Sequence, residues 1–167
     1  LVEHRERSDR FQLLNGEWEF KYYNSIYDVT ESFYEKGYDV SGFDQVTVPG
    51  VWQMDGYDTH QYTNIRYPFP FDPPYVPQDI PCGAYVHNFE YHREKKASKA
   101  FLNFEGVDSC FYVWVNGAYA GYSQVPHATS EFDVTDLLNE GENTLAVLVL
   151  KWCDGSYLED QDKFRMR

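Results

Sequence analysis

The sequence predicts an all-β fold: an antiparallel jelly-roll β-sandwich with a long proline-rich loop and little helix. Three observations predict it. Apolar and polar residues alternate with a period of two in several short runs, an Asn-Gly pair separates two of those runs, and stretches with a 3.6-residue apolar period are scarce. Taken in chain order, Trp18-Glu19-Phe20-Lys21-Tyr22 reads as the first half-buried strand. Tyr27 to Lys36 reads as a short helix or turn. Ala84 to Tyr91, Phe101 to Phe104 and Phe111 to Val115 read as further strands, rich in the aromatic and β-branched residues that suit a pleated surface. Asn116-Gly117 supplies two residues that tolerate positive φ in a two-residue hairpin, and Ala118 to Tyr122 returns as its partner. Asp133 to Asn139 predicts a short helix or turn with Asp133 or Thr135 as N-cap. After the turn Glu140-Gly141-Glu142, Asn143 to Trp152 is more continuously apolar and suits the centre of a sheet.

The 167 residues fit one domain, with residues 1–13 as an N-terminal extension and 14–167 as the folded unit. A chain of this size buries roughly 70% of its unfolded surface, so disulfides and metals are not needed for stability. Hydrophobic residues make up 43% and aromatics 19%, which excludes disorder and low complexity. The net charge of −13 repels phosphate backbones and anionic lipid, so neither nucleic acid nor a membrane is an expected partner. The longest apolar runs, Cys110 to Val115 and Leu145 to Leu150, are far short of the ~20 residues a membrane helix needs. The chain lacks an initiator Met, which suggests a piece of a longer polypeptide. Cys82, Cys110 and Cys153 are odd in number and widely spaced, and read as reduced structural thiols.

Tyr67 to Pro81 holds six of the 8 prolines. Each fixes φ and removes a donor, so the stretch is an extended, preordered loop. It is open to three readings: a linker, a polyproline ligand, or a loop packed onto the surface through Phe69, Phe71 and Tyr75, with the last favoured by the interleaved rings. Asp154 to Asp162 carries four carboxylates, Asp154, Glu159, Asp160 and Asp162, and no base. Such oxygens suit a hard cation or sugar hydroxyls, or simply form a solvated acidic loop; neighbouring acids on one loop do not flank a sugar on two faces, so no acid/base pair for glycoside cleavage is evident. His4, His60, His87, His92 and His127 are scattered and read as surface or structural. Trp52 and Tyr57, beside Tyr62-Thr63-Asn64-Ile65-Arg66-Tyr67, suit either sugar stacking or core packing.

Leu14-Asn15-Gly16-Glu17-Trp18-Glu19-Phe20, Val48-Pro49-Gly50-Val51-Trp52-Gln53, Tyr62-Thr63-Asn64 through Pro68, Gly117 to Gly121, and above all Asp154-Gly155-Ser156-Tyr157-Leu158-Glu159-Asp160-Gln161-Asp162 resemble the N-terminal sugar-binding domain of glycoside hydrolase family 2 β-galactosidases. The likeness runs from Leu14 to Met166, with gaps around residues 25–44. It implies a galactose-binding-like jelly roll that precedes an immunoglobulin-like domain and a (β/α)8 barrel, the barrel supplying both catalytic glutamates. By that likeness the chain alone is inactive and belongs to a retaining β-galactosidase. Asn64 matches an asparagine that reaches the galactose subsite. Asp162 matches an aspartate that contacts sugar and ligates sodium, and Ile65 an apolar residue on the aglycone side. Asp154 and Gln124 match positions of a magnesium site whose other ligands come from an N-terminal extension. The resemblance further implies sodium and magnesium in the complete enzyme and none required by this piece, with galactosides and the remaining domains of the polypeptide as partners. It also implies a homo-oligomeric parent and a bacterial cytoplasmic location. Two residues depart from the pattern: Cys153 stands where Ser is common, and Arg167 where a small residue is usual. An autonomous carbohydrate-binding module, a domain of another family 2 β-glycosidase, and an assembly domain are the alternatives.

Overall fold

A computed structural model describes residues 7–59, 68–94, 96–124 and 126–158. Among the described residues, eight strands form two antiparallel sheets. The strands are β1 (Gly16–Tyr23), β2 (Asp44–Val48), β3 (Cys82–Tyr91), β4 (Phe101–Phe104), β5 (Cys110–Val115), β6 (Ala118–Ser123), β7 (Ser130–Asp133) and β8 (Gly141–Leu150). The larger sheet has the order β2-β1-β3-β8-β5-β6, and the smaller pairs β4 with β7. This is the predicted sandwich. The strands expected from alternation are present, and β2 and β7 are additional.

β8 occupies the interior of the larger sheet because it is apolar on both faces. Its ten residues pair with β3 from Cys82↔Leu150 to Tyr91↔Gly141, and its second half pairs with β5. Leu145, Val147 and Val149 point to one face with Phe20, Trp18, Phe111 and Val113. There β4 and β7 close over them, with Phe104 and Phe132 ring centroids 4.8 and 5.9 Å from Phe111. Ala146, Leu148 and Leu150 point to the other face with Cys82, Ala84, Val86 and Cys110, covered by the chain between β1 and β2, where Phe33 is fully buried. A buried side chain of the Phe20 class contributes roughly 1.5–3 kcal/mol, so the two clusters account for the double coverage of one sheet.

The β5–β6 hairpin turns through Asn116 at φ 52° and Gly117 at φ 83°, the left-handed pair the sequence predicts. Its register shifts between Val113 and Trp114, which leaves Ala120 as a bulge between Tyr119 and Gly121. One short 3-10 turn, Ile26–Asp28, overlaps the start of residues 27–36, and the remainder is loop. Asp133 ends β7 and then caps a turn, accepting from the Thr135 N–H at 3.2 Å. Among the described residues no helix is long and apolar enough to cross a membrane.

Candidate functional site

The site region grows from the end of β8. Where the strand stops, the Lys151 N–H donates to the Pro81 carbonyl at 3.0 Å, and a 3-10 turn, Asp154–Leu158, follows. Buried hydroxyls need partners, and two serines meet that need reciprocally. Ser156 Oγ donates to Ser109 Oγ at 3.0 Å and accepts from the Cys153 N–H at 3.1 Å, while Ser109 Oγ donates to the Lys151 carbonyl at 2.8 Å. The turn is thereby fixed against the start of β5.

The proline loop packs on this turn. Phe69 is buried with its ring 5.2 Å from Trp152 and 5.5 Å from Tyr157, and Phe71 lies 5.6 Å from Tyr157. The Tyr157 hydroxyl accepts from the Asp72 N–H at 3.1 Å and faces the carbonyls of Tyr75 and, at 3.3 Å, Pro70. Surface packing by interleaved rings thus holds for Phe69 and Phe71. It does not hold for Tyr75, which is 71% exposed and is held through its backbone, its carbonyl facing the Tyr157 hydroxyl and its N–H donating to the Asp72 carbonyl.

A second anchor lies on the other side. Asp58, in the turn after Trp52, forms an ion pair with Lys151, and the Lys151 ammonium also sits 5.1 Å from the Trp152 ring centre. Trp52 and Tyr57 resolve to packing: Trp52 is in the core beside Phe20 and Tyr22, and Tyr57 stacks edge-on to Phe20 at 4.9 Å while donating to Asp44 at 2.9 Å. Burial, with the nearby Asp58 charge and the Cys82 thiol, raises the Tyr22 phenol above its ordinary value.

Asn64, Ile65 and Asp162 lie outside the described residues. Their flanks do not. The chain leaves toward 60–67 just after Asp58 and returns at Pro68-Phe69, and both stems are fastened to residues 151–157, which lead on toward Asp162. Sequence reasoning missed the anchors Lys151, Ser109 and Tyr157 as such. Only Tyr157 carried a signal, as the one aromatic inside the acidic motif.

The pair matched to magnesium comes together in the backbone, since a Cβ on Gly155 would lie 3.1 Å from the Gln124 carbonyl. Asp154 accepts from the Gly155 N–H at 2.9 Å, and the Gln124 side-chain oxygen accepts from Tyr122 at 2.8 Å. A carboxylate and an amide oxygen fit a hard cation by type. They are two side chains, however, and no group of three His, Cys, Asp or Glu able to hold a metal occurs among the described residues. The three cysteines are buried, with Cys82 pushed up to about 12 by burial and by the Asp28 charge. His87 stacks on Trp18 at 4.7 Å, and exposed His92 pairs with Glu140 at 2.8 Å.

Residues 11–167 match the family model described as glycosyl hydrolases family 2, sugar binding domain. A β-galactosidase of Actinobacillus pleuropneumoniae is 54% identical over 97% of this chain, and one of Staphylococcus xylosus is 50% identical over 92%. The chain spans only 16% and 15% of those relatives' lengths. Among solved structures, a Ruminococcus gnavus β-glucuronidase in complex with an N1-substituted uronic isofagomine superposes over 83% of this chain and 21% of its own, with a TM-score of 0.62 and 17% identity, a likeness of fold. The chain belongs to the sugar-binding domain family of the family 2 glycosyl hydrolases.

Proposed function

We propose that this chain is the N-terminal, non-catalytic domain of a retaining β-galactosidase, and that it supplies sugar-binding side chains to an active site whose carboxylates lie elsewhere in the polypeptide. The observation that carries the reading is the 54% identity, over nearly the whole chain, to about a sixth of a protein named as a β-galactosidase. In this reading Asn64 donates to and accepts from galactose hydroxyls, Asp162 accepts from them, and Ile65 packs against the aglycone. Asp162 also holds sodium together with groups outside this chain, and the bound cation supplies positive charge beside the sugar. Asp154 and Gln124 contribute oxygens to a magnesium site of the complete protein. The parent works as a cytoplasmic homo-oligomer on galactosides. The anchoring of both flanking segments to residues 151–157 supports the reading, because sugar ligands from two distant stretches act together only if their stems are held together.

The test uses the full-length polypeptide and o-nitrophenyl β-D-galactoside. Hydrolysis is expected, with sodium stimulation lost in Asp162→Asn. Cleavage of the glucuronide in place of the galactoside, or sodium dependence unchanged in the variant, overturns the corresponding part. Tight galactose binding by the isolated chain in calorimetric titration would favour an autonomous binding module.

A further inference from the structure

We propose that Tyr157 is a positioning residue for sugar binding: its hydroxyl holds the proline loop, and with it the downstream stem of the 60–67 segment, on the turn that leads to Asp162. The inference rests on the reading above, in which Asn64 and Asp162 reach one galactose subsite.

Within 68–80 the backbone contributes the Tyr75 N–H to Asp72 carbonyl bond at 2.8 Å, and the prolines there have no N–H to give. The Tyr157 phenol adds an anchor from outside the loop. It has one O–H to donate and lone pairs to accept with, so it receives the Asp72 N–H at 3.1 Å and directs its proton between the carbonyls of Tyr75 and Pro70. Three backbone groups spread over residues 70–75 thus converge on one oxygen 82 to 87 positions away. The ring is fixed independently, by Phe69 and Phe71 at interplanar angles of 90° and 84°. Ring and hydroxyl therefore have separable roles, and Tyr157→Phe removes the second while keeping the first.

Without the hydroxyl the loop is held less firmly, and in the reading above only a fraction of molecules present Asn64, which precedes the loop, correctly. Apparent affinity falls by that fraction, whereas turnover of the bound complex, set by groups elsewhere, does not. Loss of one buried hydrogen-bonding centre corresponds to roughly a tenfold change.

In the full-length polypeptide acting on o-nitrophenyl β-D-galactoside, Tyr157→Phe is expected to raise KM about tenfold with kcat within about twofold. Amide exchange over residues 68–76 should quicken. Val134→Ala, a core change near β7, serves as the control for general loosening and should leave KM in place. An unchanged KM, a fall in kcat alone, or an equal KM rise in Val134→Ala overturns the positioning role. Unchanged exchange overturns the contact itself. Absence of galactoside cleavage by the wild type defeats the functional reading instead, and the exchange measurement still decides whether the hydroxyl holds the loop.

Discussion

Lys151 and Asp58, 93 positions apart in sequence, form an ion pair with side chains only 11% and 13% exposed. Charges this far out of water are stabilising only while paired, because removing one leaves the other desolvated without compensation. Lys151→Met is therefore expected to cost about 3 kcal/mol, and the double change Lys151→Met/Asp58→Leu to recover most of it. Denaturant unfolding of the three proteins checks this. A single variant as stable as the wild type would show that the pair is hydrated.

Asn143, 2% exposed, satisfies its whole amide locally. It donates to the carbonyls of Asn139 at 2.9 Å and Gly141 at 2.8 Å, and accepts from the Asn139 N–H and from the Asn116 side chain at 2.7 Å each. Asn116 in turn accepts from the Thr144 N–H at 3.0 Å, so one network joins the β5–β6 turn to the start of β8. Asn143→Leu should destabilise by about 3 kcal/mol, since several buried polar groups lose partners together. For a domain of this size that is a fall in Tm of roughly 6–12 °C by calorimetry.

Gly83 lies where the Phe20 and Trp52 rings cross β3. A Cβ there would stand 2.5 Å from Phe20 and 3.0 Å from Trp52, both inside the core. Gly83→Ala should cost about 2 kcal/mol by overpacking. Gly42→Ala, where nothing lies within 4 Å, should be close to neutral. Equal stability of the two variants would contradict the packing.

Two histidines give opposite pH dependence. Burial holds His87 below its ordinary 6.5, against a smaller upward push from a backbone hydrogen bond at Glu17. The unfolded chain then binds the proton more readily, so this contribution is present above pH 6.5 and is lost as pH falls through the lower folded value. His92 is raised by its hydrogen bond and charge interaction with Glu140, with Glu90 adding to them. Its contribution is present below pH 6.5 and lost as pH rises through the folded value. In Tm measurements from pH 5 to 8, His87→Gln should flatten the acid-side fall and His92→Gln the smaller alkaline-side fall. The opposite pattern would show that the two environments are misassigned.

The parts of the fold legible in sequence were those with a strong local signal. The alternations of β1, β3, β4 and β5 and the Asn116-Gly117 turn state their own geometry, because side-chain period and backbone sterics act within a few residues. β2 and β7 were not legible. β2 is an edge strand of five residues whose alternation is confined to Val46-Thr47-Val48, and β7, Ser130–Asp133, has one apolar side chain in four, so both signals are too short to read. Residues 27–36 looked helical in part, but their apolar groups are spent covering the second face of the larger sheet, where Phe33 is buried.

For the site, the division is sharper. Sequence alone determined an acidic, aromatic-rich β-sandwich, the extended character of the proline loop, and a motif likeness naming Asn64, Ile65 and Asp162. Tertiary structure decided that Trp52 and Tyr57 are packing residues, and that Asp58, the proline loop and the Asp154–Leu158 turn meet at the end of β8. The reason is physical. A phenol that serves the backbone more than 80 residues away, or a carboxylate that pairs with a lysine 93 positions on, has no local energetic signature. Its partner is set only when long-range strand pairing brings the two stretches together.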